Sequence, residues 1–507
     1  MPGAMVIIPH EVWLRIFELV DSTAALRCVV LACRKFYNLG TEALVRHISW
    51  RSTEIAMNHL DFWERNPSKA YFVRSVYFAL SPNNESADNY PRIFGCIQSF
   101  SRLEHMKLAF GSLPDVLYPT LQRLPSLTHL ELQSCVIPPL PPFYPYSFPS
   151  TDTPEPIQLT KLTLSKMRCF TVSFASYLPN LSAFETDSIG IQLPVDISAQ
   201  LSSLSLTLHG AIGDIQPRLD VVLLRMPALV HLDVSIATFG HQAQQTTATV
   251  SQHPSPILPM LRTLSAPWPV AGHLLPGAPA LTHLRVASPI PKPSDAVWLL
   301  ERLQGGGSPL RGVALYLHTW DDEVLLAAVR CLSDCEMLGI VYQRGGPSDE
   351  FLFDLGIQHL PLMNTLHTLR LFALPPVEPI RIPTPRFVWD ANTGEASVME
   401  DWFVDDDDNS TAASSDSDPE AAAAEAEAKK EEEAQEARVQ TEKTVTLREC
   451  VHAWTRYNPL LKRVQLGREG EKRTWAKGKR LGDGRGWETD EDEDTDAVWP
   501  HSYAAAD

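Results

Sequence analysis

The sequence has little that would link it covalently, anchor it in a bilayer or fasten it to a nucleic acid. Its eight cysteines, at 28, 33, 96, 135, 169, 331, 335 and 450, are scattered over 507 residues without a single C-x-x-C. Disulfide-built domains are short and cysteine-dense, so these read as reduced, mostly buried thiols. The lack of paired cysteines also excludes a zinc-held RING module within the chain. No run of about 18 uncharged apolar residues occurs, which excludes a membrane-spanning helix. The first residues, MPGAMVIIPHEVW, lack the basic start and the apolar stretch of about 7–15 residues that mark a signal peptide. An intracellular protein, cytoplasmic or nuclear, is expected.

Excess basic charge is missing too. The net charge is −18, but the acidity is confined to two segments. Sixteen acids face three bases between Glu400 and Glu442, and seven more acids lie between Glu488 and Asp496. The rest is close to neutral, whereas nucleic-acid footprints are basic. No nucleic acid and no membrane is expected among its partners. Catalytic signatures are equally scarce. Gly478-Lys479 is followed by Arg480, so no phosphate-binding G-x-x-x-x-G-K-[ST] loop forms there, and neither H-E-x-x-H nor G-x-S-x-G appears. Gly305-Gly306-Gly307 reads as a turn. Neither an enzymatic activity nor a cofactor or metal is expected.

What is present begins at the N-terminus. Pro9 lacks an N–H, which costs nothing in a first helical turn, and Glu11 suits the positive end of a helix dipole. Val12, Ile16 and Leu19/Val20 follow at helical spacing, widened by Trp13 and Phe17. Asp21-Ser22-Thr23 can stop this helix and cap a second over residues 24–31. A third starts at Cys33-Arg34-Lys35-Phe36 and is expected to end near Gly40. Three short helices cannot bury all these large side chains against one another. Periodicity alone is satisfied either by a three-helix cap on the next domain or by a partner-binding module.

The string IPHEVWLRIFELVDSTAALRCVVLACRKFYNLG resembles the F-box motif at Ile8-Pro9, Glu11-Val12, Ile16-Phe17, Leu19, Leu26 and Cys33-Arg34. It departs from the motif with Ile8 in place of leucine and Phe36 in place of tryptophan, and both changes conserve apolar volume or aromaticity. The resemblance implies that Ile8, Pro9, Val12, Ile16, Phe17, Leu19, Leu26, Cys33 and Phe36 meet the Skp-type adaptor of an SCF ubiquitin ligase, and through it a cullin. Two of these positions are expected to serve the helices' own core as well.

The remainder carries an irregular repeat, L-x-x-L-x-L, usually with proline two residues ahead. LPSLTHLEL (124–132), MPALVHLDV (226–234), APALTHLRV (278–286) and MNTLHTLRL (363–371) are clear copies. First positions fall at Val73, Leu103, Leu127, Leu159, Leu181, Leu201, Leu229, Leu261, Leu281, Leu310, Met337, Leu366 and, much later, Leu461. Leucine-rich repeats recur about every 20–29 residues, with one strand each. Helix-length apolar patterns such as DAVWLLERL (295–303) and DEVLLAAVRCL (322–332) precede the strands, so each unit reads helix–strand and buries its face by stacking on a neighbour. An unrelated α/β body is the competing reading.

The expected class is therefore α/β: an F-box over residues 1–50, a linker helix at 51–70 and an irregular leucine-rich-repeat solenoid with a parallel sheet at 71–388. A proline-rich insertion occupies 138–156. An acidic low-complexity insert follows at 389–443, disordered in its Ser/Asp part and helical in its Ala/Glu/Lys part. A final repeat with a closing hairpin at Trp475 and Trp487 spans 444–487, and an acidic tail completes the chain at 488–507. The ensemble resembles the large fungal F-box/leucine-rich-repeat family. That resemblance implies a substrate receptor with an unknown protein target; a scaffold acting outside a ligase is the alternative.

His129, His231 and His283 share one slot, just before the second leucine, which points away from the repeat core onto the concave face. Neighbouring strands lie about 4.8 Å apart and these three sit in non-adjacent repeats, too far apart to share a zinc at about 2.0–2.1 Å from each. Together with Glu131, Asp233 and Arg285 on the same strands, and with His367 and Arg370 in the repeat that begins at Leu366, they are candidate target-facing residues.

Overall fold

The computed structural model describes residues 9–20, 23–80, 88–137, 157–167, 178–188, 193–209, 212–237, 256–307, 309–374, 387–389, 396–398, 450–451, 454, 456–467, 473–477 and 487–489. Ile8, the proline-rich insertion at 138–156, most of the acidic insert and the tail beyond Thr489 lie outside them. The chain divides into two compact units, Met1–Tyr316 and Leu317–Asp507.

The first unit opens with three helices, α1 (His10–Glu18), α2 (Thr23–Ala32) and α3 (Arg34–Val45). Pro9 stands in extended conformation immediately before α1. The Cys33 thiol caps α3 by accepting the Phe36 N–H at 3.4 Å. Phe17, Leu26 and Val30 form the buried centre, with Trp13 and Phe36 packed against it. The Trp13 and Phe36 rings lie 4.6 Å apart. Gly40 does not end α3 as expected: the helix runs on to Val45 and Gly40 is buried within it. A Cβ there would come within 2.2 Å of Val30 Cγ2. This glycine permits a close helix–helix approach rather than a left-handed cap.

Eleven strands follow in strict chain order: β1 (His47–Trp50), β2 (Ser75–Ala79), β3 (His105–Ser112), β4 (His129–Val136), β5 (Lys161–Ser165), β6 (Ala183–Thr186), β7 (Ser203–His209), β8 (His231–Ala237), β9 (Thr263–Ala266), β10 (His283–Val286) and β11 (Gly312–Thr319). Each pairs in parallel with its predecessor. One carbonyl per repeat, just ahead of the strand, accepts two consecutive N–H groups of the next repeat. Arg46 O receives Arg74 and Ser75, Arg74 O receives Glu104 and His105, and the series continues to Thr282 O, at 2.7–3.0 Å throughout. One parallel strand per leucine repeat, joined always to its sequence neighbour, is the leucine-rich-repeat solenoid.

The leucines lie where the pattern puts them. Leu103, Leu127, Leu159, Leu181, Leu201, Leu229, Leu261 and Leu281 are all buried, each two residues ahead of its strand. Two assignments are corrected. The sheet starts one repeat earlier than residue 71, with β1 inside the segment expected to be F-box alone. Residues 51–70 are helical as expected but pack into the body rather than link it: α4 (Thr53–Arg65) buries Leu60 and Trp63, and α5 (Pro67–Ala70) follows it. Trp50, Trp63, Phe78 and Phe100 meet edge-on or tilted at 5.1–6.4 Å and close this end of the core with aromatic rings.

In the second unit the helix Asp322–Cys331 precedes β12 (Met337–Arg344), and β13 (Thr368–Ala373) pairs with that strand in parallel. Here Cys335, buried and two residues ahead of β12, takes the leucine position that the pattern assigns to Met337. Phe387–Trp389 (β14) and Ala396–Val398 (β15) form a small antiparallel pair that extends into the expected insert. The chain returns at β16 (Arg463–Gly467), parallel to β13, with His367 O accepting Lys462 and Arg463 at 2.8 and 3.0 Å. The expected final repeat is therefore part of this sheet. Arg473–Lys477 (β17) and Trp487–Thr489 (β18) then close it antiparallel, which is the expected hairpin.

Trp454 locks the returning segment. It is fully buried, its indole N–H donates to Leu352 O at 2.9 Å, and it fills the space left by Gly356, where a Cβ would lie 1.8 Å from the ring. Trp454→Ala is expected to destabilise the second unit by about 3–5 kcal/mol, read as accelerated hydrogen exchange at residues 463–467. Unchanged protection there would show that the return depends on something else.

Candidate interaction surfaces

Because strand side chains alternate, the register sorts the first sheet into two faces. Val76, Met106, Leu130 and Leu162 are register partners on the inner side, followed two residues on by Phe78, Leu108, Leu132 and Leu164. The residues between them, polar for the most part, form ladders on the other face. His105, His129 and Lys161 are successive partners, as are Lys107, Glu131, Thr163 and Glu185.

Across β3–β6 these side chains interlock. The imidazoles of His105 and His129 stack with centroids 4.3 Å apart and 17° between planes. Lys107 Nζ reaches Glu131 at 2.6 Å, and Lys161 Nζ reaches Glu185 at 3.2 Å. Glu131 also lies 3.9 Å from His105 Nε2. Thr163 donates its hydroxyl proton to Glu185 at 3.3 Å, so at 3.1 Å from His129 Nε2 it can only accept. That assigns the Nε2-protonated neutral tautomer to His129. Burial is the main cause that lowers both imidazoles from their ordinary value. For His129, His105 and Lys161 add to it, Glu131 and Glu185 oppose it, and the value falls to about 4. For His105, Glu131 opposes burial while Lys107, Lys161 and His47 add to it. Partly exposed ion pairs of this kind contribute about 0–1 kcal/mol each. The array is thus a pattern of charge presented by the sheet rather than the source of its stability.

In the first unit the remaining candidate residues stand on strands other than those of the array. His231 is exposed and Asp233 half-buried on β8, while His283 on β10 meets the neighbouring Thr282 hydroxyl at 2.9 Å. Arg285 is buried, and so is Arg370 in the second unit. His367 does not occupy the slot of His129. Its carbonyl plays the part of Arg46 O and Thr368 takes the strand position, so it stands one residue out of register. The sequence reasoning missed His47, His105, Lys107, Lys161 and Glu185. The signal was available for His105, two residues after the repeat leucine Leu103, but Met106 stands where the other copies have leucine. Among the described residues no group of three or more His, Cys, Asp or Glu side chains is arranged to hold a metal ion.

The three N-terminal helices form the second surface. Of the residues singled out there, Phe17 and Leu26 belong to the core, and Phe36 is half-buried against Trp13 and Phe17. Val12 (46%), Ile16 (39%) and Leu19 (67%) remain exposed, with Pro9 and Cys33 also at the surface. Of the described cysteines, Cys135, Cys335 and Cys450 are buried, Cys96 and Cys331 half-buried, and Cys28 and Cys33 exposed, so burial of the thiols is only partial. Burial and then the Glu64 charge push the Cys96 thiol up to about 12. Among the described residues no helix is long and apolar enough to cross a membrane.

Lowered imidazole values have a consequence for stability. Between about pH 6.5 and about pH 4 the unfolded chain binds more protons than the folded one, so stability falls as pH drops through that window. His129→Gln is expected to flatten the dependence of the melting midpoint on pH there; an unaltered slope would contradict the assignment of a neutral, proton-resistant His129.

No family model matches the sequence, and no curated protein matches it. Among solved structures, the chain is similar to an LRR protein of Leptospira interrogans at 13% identity over 60% of this chain and 85% of that one, with a TM-score of 0.22. It is also similar to the mouse RP105/MD-1 complex (15% identity, 59% and 47% covered, TM-score 0.25) and to the Drosophila Toll–Spatzle complex (14% identity, 65% and 41% covered, TM-score 0.24). This chain thus spans less than half the length of the chains it matches in the latter two. Leucine ladder and strand register, not these likenesses, establish the repeat fold.

Proposed function

We propose that the chain is the substrate-recognition subunit of an SCF-type ubiquitin ligase, acting inside the cell and catalysing no reaction itself. In this reading α1–α3 hold a Skp-type adaptor, and through it a cullin, while the polar sheet face holds a protein target. The observation that carries it is the split of the N-terminal apolar set. Phe17, Leu26 and Val30 saturate the interior, yet Val12, Ile16 and Leu19 stay exposed on α1 and the turn that ends it. These are positions that bear the F-box resemblance. Exposed apolar groups gathered on so small a unit favour a partner, and the solenoid beyond them offers a separate surface with alternating charge.

Co-purification with a Skp-type adaptor tests the reading. Wild-type chain is expected to capture the adaptor. Leu19→Asp, at a side chain 67% exposed, is expected to weaken capture while keeping the wild-type melting temperature, and adding Ile16→Asp, at one 39% exposed, is expected to abolish it with a small loss of stability. Failure of the wild type to capture the adaptor would end the proposal. Lys107→Glu with Lys161→Glu is expected to leave the adaptor bound but to change which proteins accumulate on the chain when the proteasome is blocked. Adaptor capture without any such accumulation would favour a scaffold outside a ligase.

A further inference from the structure

Protein interiors are packed about as densely as organic crystals, yet the first unit contains a cavity of about 400 Å³ on the inner side of its sheet. Its floor is Phe184 on β6 with Leu204 and Leu206 on β7, and its opening is bordered by Arg218, Val221 and Arg225. The cause lies in unequal neighbouring repeats. The step from Leu181 to Leu201 is short, and its described residues supply one helix, α8 (Val195–Gln200), six residues long. The next step supplies α9 (Ile212–Leu223), twelve residues long with Pro217 inside it. A short helix beside a long one leaves a wedge that neither fills.

The character of the opening points to one kind of occupant. Among the described residues lining the cavity, two are basic and none is acidic. Arg218 on α9 and Arg225 in the turn that ends it, two residues past Leu223, are both exposed and both line the cavity. Asp220, the acid closest to them in sequence, is held by His273 at 2.9 Å. Val221 and Leu224 beside the arginines, and Val195 at the start of α8, are exposed apolar side chains. An apolar interior of a size typical of small-molecule sites, about 300–1,000 Å³, thus opens between two cations set in an apolar border. We propose that this cavity binds an anionic amphiphile, a single alkyl tail within and a carboxylate or phosphate head at Arg218 and Arg225. The inference is independent of the ligase reading.

Isothermal titration of the full chain with dodecanoate, dodecyl phosphate and dodecan-1-ol, the anions below their micelle concentrations and the alcohol below its solubility limit, tests it. At least one of the two anions is expected to bind at one site per chain, about tenfold or more tighter than the alcohol, because charge-assisted hydrogen bonds require the head. Whichever anion binds more tightly identifies the head class, and either result sustains the proposal. Arg218→Ala with Arg225→Ala, both in solvent and harmless to folding, is expected to remove that preference. Val222→Phe, which fills the cavity from the α9 side, is expected to weaken all three ligands. No saturable binding of either anion, equal affinity for the alcohol, or affinity unmoved by the arginine substitutions would overturn it.

Discussion

The shared carbonyl between consecutive repeats is the constraint on which the first unit depends. At each step a single oxygen, from Arg46 through Thr282, accepts two neighbouring N–H groups of the repeat that follows. Because a parallel strand has a side-chain period of two, a slip of one residue would turn every leucine outward. The doubled bond removes that freedom. It sets the register before any side chain is considered, and once register is set, Leu130 must stack on Leu162 and Glu131 must lie beside Thr163.

The same constraint separates stability from recognition. One side of the sheet is committed to apolar contact, whereas the other can change without disturbing the core. The His105–His129 stack, the Lys107–Glu131 pair and the Lys161–Glu185 pair all belong to this second side. Most of their polar groups are held by neighbouring repeats, His105 Nε2 being the exception at 3.9 Å from Glu131, so the array is largely ordered by the sheet itself. The N-terminal helices divide their residues in a comparable way, with Phe17 inward and Leu19 outward.

Much of this was legible because close packing leaves few alternatives. Leucine at a fixed offset ahead of each strand identified the repeats, and the return of the chain at Leu461 was evident from the same pattern despite a long intervening segment. The failures have particular causes. Val45-Arg46-His47-Ile48-Ser49-Trp50 fulfils the repeat with valine, isoleucine and tryptophan, so its strand went unseen. Cys335 fills the leucine position that the pattern assigned to Met337, and Gly40 relieves contact with Val30 in a position that resembles a helix end. Which apolar residues of α1 are core and which are surface depends on how three helices cross, and periodicity does not specify that. The cavity beneath β6 and β7 arises from a mismatch between adjacent repeats and has no signature in either one alone.

The central claim is that two separate surfaces hold two different partners. Site-specific photocrosslinking in cells with the proteasome blocked tests this most directly, with a benzoylphenylalanine placed at Leu19 in one chain and at Lys107 in another. The expected result is a crosslink to a Skp-type adaptor from position 19 and to a different protein from position 107. Crosslinking of the adaptor from position 107, or of no adaptor from position 19, would contradict it.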